Sequence, residues 1–164
     1  MRKRFLSTVL VLIMLLSLAP MSALADDTFR SGDFTFVIET GVACVKKYNG
    51  SSASVTVPSK VEYDGVTYKV RNIHQDAFKN CTTIQKLVLP ETVNRIGKQA
   101  FANCTSLNSI TINGDLNGVY TVDNTFYNIG ANSDYLNVTF GPEVTAIPSN
   151  LFDSTYSKSE GYYP

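Results

Sequence analysis

VRNIHQDAFKNCTTIQKLVLP (residues 70–90) and VNRIGKQAFANCTSLNSITIN (residues 93–113) are two copies of one pattern, the second aligned so that Val93 falls on Val70. Val70, Ile73, Ala77, Phe78, Asn80, Cys81, Thr82, Ile84, Leu87 and Leu89 match Val93, Ile96, Ala100, Phe101, Asn103, Cys104, Thr105, Leu107, Ile110 and Ile112. A fixed period of about 20–30 residues is the mark of a solenoid, in which one coil cannot bury its apolar side alone and stacked coils can. Leu87-Val88-Leu89 and Ile110-Thr111-Ile112 alternate as strands with their outer residues inward. Lys98 to Ala102 reads as one helical turn that carries Phe101 into the core. Asn80 and Asn103 then close their turns, where a left-handed backbone favours Asn.

Outward from these copies the register weakens. Val119, Val122, Phe126-Tyr127, Tyr135, Val138 and Phe140 fit a third copy with about three extra residues before Tyr135. Val144, Ile147 and Leu151-Phe152 start a fourth, whose last columns hold Lys158 and Gly161, as in a polar cap or a sequence cut from a longer array. The expected repeats are 70–92, 93–118, 119–143 and 144–164. Residues 26–69 read as a β-rich N-terminal cap. Phe34–Ile38 and Val42–Val45 flank a Thr40-Gly41 turn, Val55-Thr56-Val57-Pro58 resembles the repeat strand, and Asp64-Gly65 is a hairpin-turn signal. Such a cap covers the open end of the array.

Residues 1–25 have another character. Arg2, Lys3 and Arg4 precede an apolar run from Phe5 to Ala19, and a small-residue stretch ends at Ala23-Leu24-Ala25. This is the order of a cleavable secretory signal, with cleavage expected after Ala25 and no spanning segment after it. Cleavage would remove Arg2, Lys3 and Arg4 from the 14 basic side chains and leave all 14 acidic ones. The mature chain, 26–164, is then mildly acidic, which excludes a strongly basic nucleic-acid binder. Export permits disulfides, but three cysteines are too few for a disulfide scaffold. Cys81 and Cys104 are equivalent repeat positions, read as two buried thiols with a bridge between stacked coils as the alternative.

The stretch I-x-x-x-A-F-x-N-C-T-x-[IL]-x-x-[IL]-x-[IL], complete at residues 73–89 and 96–112, resembles the BspA-type leucine-rich repeat of bacterial surface and secreted proteins. With the cap, the resemblance spans almost all of the mature chain. It implies an α/β fold: a short right-handed leucine-rich repeat solenoid, a parallel sheet on one face and short helical turns. It also implies secretion or cell-surface location and binding of an extracellular protein or glycoprotein. It brings no catalytic residue and no cofactor, and the chain as given shows no wall-sorting motif.

The residues themselves supply little chemistry. His74 is the single histidine and occupies the Gly97 position, read as a solvated turn residue, which makes a poor case for a catalytic triad. Without C-x-x-C or a Cys/His cluster a zinc site is not expected, and Asn132-Ser133-Asp134 is too sparse for calcium. Asn49, Asn80, Asn103 and Asn137 match the glycosylation pattern, mostly as by-products of the repeat.

What remains is surface. On the sheet face Lys86 and Val88, Ser109 and Thr111, and Asn137 and Thr139 form outward columns, and these six are the candidate partner-binding residues. Tyr120, Tyr127, Tyr135, Tyr156, Tyr162 and Tyr163 are a second contact candidate, although Tyr127 and Tyr135 also fit core columns. The expected function is protein–protein interaction or adhesion. The alternative is a non-binding structural module or an N-terminal fragment of a larger surface protein.

Overall fold

The computed structural model describes residues 28–116, 124–148 and 151. The expected signal sequence, Val119, Tyr120, Val122, Phe152 and the C-terminal tyrosines lie outside them. The described residues form ten strands: β1 (Thr28–Ser31), β2 (Phe34–Glu39), β3 (Val42–Tyr48), β4 (Ser54–Thr56), β5 (Lys60–Tyr63), β6 (Val66–Ile73), β7 (Lys86–Leu89), β8 (Arg95–Ile96), β9 (Ser109–Ile112) and β10 (Asn137–Phe140).

Two sheets result. One has the order β1-β2-β3-β6-β5, with β8 also paired to β6. β1, β2 and β3 are antiparallel, and the β2–β3 turn places Thr40 and Gly41 at φ 49° and 80°. The β5–β6 hairpin turns on Asp64 and Gly65 at φ 50° and 72°. Left-handed pairs of this kind match the twist of the flanking strands. β6 is shared: Val66–Lys69 pairs antiparallel with β5, and Val70–Ile73 pairs parallel with β3 and β8. The second sheet is wholly parallel, in the order β10-β9-β7-β4. β4 therefore joins the sheet of the repeats.

The core is a continuous column between these sheets. Leu87, Leu89, Ile110 and Ile112 point into it from β7 and β9, and Val70, Ile73, Val93 and Ile96 meet them from the other side. Aromatic rings run through its corner. Tyr48 stacks on Phe78 at 5.4 Å, Phe78 lies 5.1 Å from Phe101, and Phe101 lies 5.2 Å from Phe126.

The described residues contain no helix, which corrects the expected α/β class to an all-β solenoid. The segment around Lys98–Ala102 is a chain of tight turns. Gln99 and Asn103 adopt φ 53° and 60°, as Asp76 and Asn80 do one coil earlier at 58° and 64°. An α-helix needs negative φ at every residue and N–H groups that bond four positions back. Here alternate N–H groups stay within the turn, from Ala100 to Gly97 O and from Ala102 to Gln99 O. The N–H groups between them reach the next coil, from Phe101 to Thr125 O and from Asn103 to Tyr127 O. Stacking thus satisfies the backbone that a helix would have satisfied internally.

The third copy departs from the expected register at Tyr135. Phe126 lies over Phe101, and Val138 pairs with Ile110. The path from Phe126 to Val138 is longer than that from Phe101 to Ile110, so the inserted residues fall between these two positions. They turn Tyr135 outward. Tyr135 is 66 % exposed, so it does not fill a core column, and Ile129 and Leu136 pack against the core instead. In the expected fourth copy Leu151 is buried while Ile147 is 53 % exposed.

Close stacking also fixes Gly114. A Cβ there would meet the Val93 carbonyl, and Pro90 O at 3.2 Å, all backbone that cannot step aside cheaply. Gly114→Ala is expected to lower stability by about 1–3 kcal/mol in urea unfolding, as overpacking does.

Candidate functional site

The face of the parallel sheet is built by register. In β7 and β9 every second residue is buried, so the residues between them must face out. Lys86 pairs with Ser109, and Ser109 with Asn137. Val88 pairs with Thr111, and Thr111 with Thr139. The six candidate residues therefore stand together in two adjacent columns of one face. Each column has a fourth member absent from the sequence-based candidates: Ser54 beside Lys86 and Thr56 beside Val88, both from β4. Their signal is Ser54-Val55-Thr56-Val57, which repeats the alternation of Lys86-Leu87-Val88-Leu89. Ser54, Thr56, Lys86, Asn137 and Thr139 are exposed, and Val88, Ser109 and Thr111, on the two central strands, are half-buried. The face has one charge, Lys86, and otherwise short hydroxyl, amide and methyl groups. It offers hydrogen bonds and low relief, and its two columns hold no His, Asp or Glu to activate a hydroxyl.

The remaining chemistry-bearing residues do not converge. Among the described residues no three of His, Cys, Asp or Glu come close enough to hold a metal ion. His74 is half-buried in its turn, with Nδ1 3.2 Å from Gln75 O and its backbone N–H donating to Val45 O. Cys44, Cys81 and Cys104 all remain thiols, so the bridge between coils is not formed. The Cys104 thiol donates to Phe78 O at 3.2 Å. Burial, and then the neighbouring Cys81, push its pKa up to about 12. Burial also raises the Cys81 thiol, partly offset by Lys47.

These thiols carry a pH dependence with a definite sign. The unfolded chain ionises Cys104 near the ordinary value of 9.0, and the folded chain only near 12. Between those values the unfolded state has lost a proton that the native state keeps, so folding weakens as pH rises. The stability contribution is complete below about pH 9 and falls off toward pH 12, and Cys104→Ala should flatten this limb in urea titrations at several pH values.

A second concavity opens at the corner between the sheets. Lys60, Lys69 and Arg71 line it from the β5–β6 hairpin, and Glu91, Thr92, Asn94 and Asp115 from the next coils, around about 480 Å³.

The repeat geometry has a match among known families. The profile described as the BspA type leucine rich repeat region (6 copies) covers residues 51–160, well over half of the chain. The chain belongs to the BspA-type leucine-rich repeat family. The match begins before β4, in keeping with the place of that strand in the repeat sheet. Among solved structures, a leucine rich cell surface protein from Faecalibacterium prausnitzii is 26 % identical, with 77 % of this chain and 31 % of that one covered and a TM-score of 0.50. A leucine-rich repeat protein from Bacteroides capillosus is 25 % identical over 69 % of this chain and 97 % of its own, at a TM-score of 0.51. The leucine-rich repeat protein of T. pallidum, 20 % identical over 76 % of this chain and 55 % of its own at a TM-score of 0.52, shares the fold. The chain thus spans about a third of the F. prausnitzii protein's length and about half of the T. pallidum protein's. No curated protein matches the sequence significantly. Among the described residues no helix is long and apolar enough to cross a membrane.

Proposed function

We propose that this BspA-type chain is a secreted or cell-surface, non-enzymatic module that binds an extracellular protein or glycoprotein through the face of its parallel sheet. The observation that carries this reading is the double column of Ser54, Lys86, Ser109 and Asn137 beside Thr56, Val88, Thr111 and Thr139. Apart from Lys86 the columns are short side chains in regular register, so an extended partner can lie across the strands. The surface placement draws on the F. prausnitzii relative, a cell surface protein, and on the expected signal sequence.

Size sets the strength. Four strands span roughly 14 Å and each runs for roughly 13 Å or less, so the face offers on the order of 200 Å², well under the footprint of about 800 Å² per partner that a standard interface needs. One such module binds weakly, and several joined in a longer chain gain by avidity. A spacer role in a larger surface protein is the second reading, favoured by the 31 % share of the F. prausnitzii protein that the chain spans.

The test is binding of the purified protein to a panel of extracellular matrix and epithelial glycoproteins, with circular dichroism to follow folding. A saturable partner, lost in the Ser109→Arg plus Thr111→Glu variant, supports the sheet face. A folded variant that keeps its partner removes that face from consideration. A wild-type protein that binds nothing moves the weight to the spacer.

A further inference from the structure

The groove at the corner of the two sheets has a chemistry that the sheet face lacks. We propose that it binds a sugar carboxylate, of the kind carried by uronic and sialic acid residues.

Its cationic wall is costly to build without a ligand. Lys60 and Lys69 are directly opposed partners in the β5–β6 hairpin. Like charges in that relation destabilise a strand pair. Arg71 adds a third cation to the same groove. Among the described residues none of the three has a side-chain hydrogen bond or an ion-pair partner, although two carboxylates, Glu91 and Asp115, stand in the same lining. All three cations are exposed, so an incoming carboxylate meets donors that are not already engaged.

The other wall narrows the class of ligand. Three cations against two carboxylates leave a net charge of +1 in the lining. That balance suits one negative group. A phosphate dianion or a polyphosphate chain would face the repulsion of Glu91 and Asp115. The same two carboxylates are acceptors for hydroxyl protons, Asp115 already taking the Thr145 hydroxyl on Oδ2 at 2.7 Å, and Asn94 both donates and accepts. Thr92 is held in place by its hydroxyl, which donates to Ser59 O at 3.3 Å, and its oxygen still accepts. An acidic sugar offers this combination: one carboxylate beside a ring of hydroxyls. The volume of about 480 Å³ lies inside the roughly 300–1,000 Å³ range of small-molecule sites and holds one or two sugar rings.

The experiment is a titration of the ¹⁵N-labelled full chain, read by amide chemical shifts. The probes are trigalacturonic acid, its methyl ester, N-acetylneuraminic acid and a short Asp-rich peptide. Saturable shifts at Lys69, Arg71 and Asn94 with one or both acidic sugars, and none with the ester, are expected. Which acid binds tells the two sugar sources apart. Affinity should fall with added salt, and by about tenfold or more in the Lys69→Gln plus Arg71→Gln variant. Glu91→Gln should tighten binding, because it removes repulsion and keeps a hydrogen-bonding side chain. All three substitutions are at exposed positions, so the variants should keep their circular dichroism spectrum. Equal binding of acid and ester, shifts confined to the sheet face, no binding of either acidic sugar, or tighter binding of the peptide would each overturn the proposal.

Discussion

Phe101→Ala is expected to cost about 3–5 kcal/mol of folding free energy, the range found when a fully buried aromatic is removed. Phe101 has no exposed surface and lies between Phe78 and Phe126, with ring centroids 5.1 and 5.2 Å away. Truncation therefore opens a cavity in the middle of a column, flanked on both sides by rings that cannot close it without pulling two coils together. Those coils are held apart by their ladders, from Phe78 N–H to Ala100 O at 2.7 Å and from Phe101 N–H to Thr125 O at 3.0 Å. A backbone spacing fixed in this way leaves little room for collapse, which places the loss toward the upper part of the range. The melting temperature should fall on the order of 10 °C. Because each coil touches only its neighbours, the break should also broaden the unfolding transition, as the coils on either side lose their coupling. Phe101→Leu keeps most of the volume and should cost markedly less. An unchanged urea midpoint for Phe101→Ala would mean that the ring stack does not exist.

That column is legible in the sequence because it rests on spacing alone. The common offset of the two full copies aligns Phe78 with Phe101, and alternation in Leu87–Leu89 and Ile110–Ile112 gives the direction of each side chain. The outward partners Lys86, Val88, Ser109 and Thr111 follow by the same parity, and the structure sets them side by side. The helical turn expected at Lys98–Ala102 fails for a physical reason. Lys-Gln-Ala-Phe-Ala has good local helix propensity, but one turn is far below the length at which propensity decides. The hydrogen bonds to the next coil decide instead, and a single coil does not reveal them. Tyr135 escapes its expected core column because an insertion shifts parity, and sequence alone does not say at which residue the shift occurs. The groove is invisible in the sequence since Lys60, Lys69, Glu91 and Asp115 share no common motif, and only stacking brings them together.

Asn103→Val is expected to cost roughly 3 kcal/mol, through two separable losses. The first is backbone geometry. Asn103 sits at φ 60°, between Asn80 at 64° and Asn128 at 56°, a region that Asn tolerates and a β-branched residue does not. The second is a side-chain ladder that runs along the array. Asn103 Nδ2 donates to Asn80 Oδ1 at 2.9 Å, and Asn128 Nδ2 donates to Asn103 Oδ1 at 3.0 Å. Valine at the central rung breaks both bonds and strains the turn. Asn103→Gly separates the two losses, because glycine takes positive φ freely and loses only the ladder. Each exposed amide bond contributes on the order of 0.5–1 kcal/mol, so the glycine variant should lose about 1–2 kcal/mol. Asn103→Asp keeps the backbone preference and one acceptor, yet it presents oxygen where Asn80 Oδ1 needs a donor, and should fall between the two. The order Gly, Asp, Val in urea midpoints is the signature of strain added to a ladder. Equal losses for Gly and Val would show that the rungs carry the whole effect and that the left-handed turn costs valine nothing. Of the ladder asparagines, Asn80 and Asn103 also match the glycosylation pattern, and the Asn103 amide nitrogen is already committed to the ladder. The asparagine of the repeat is therefore kept for its backbone and its neighbours, one coil holding the next by the same residue that turns the chain.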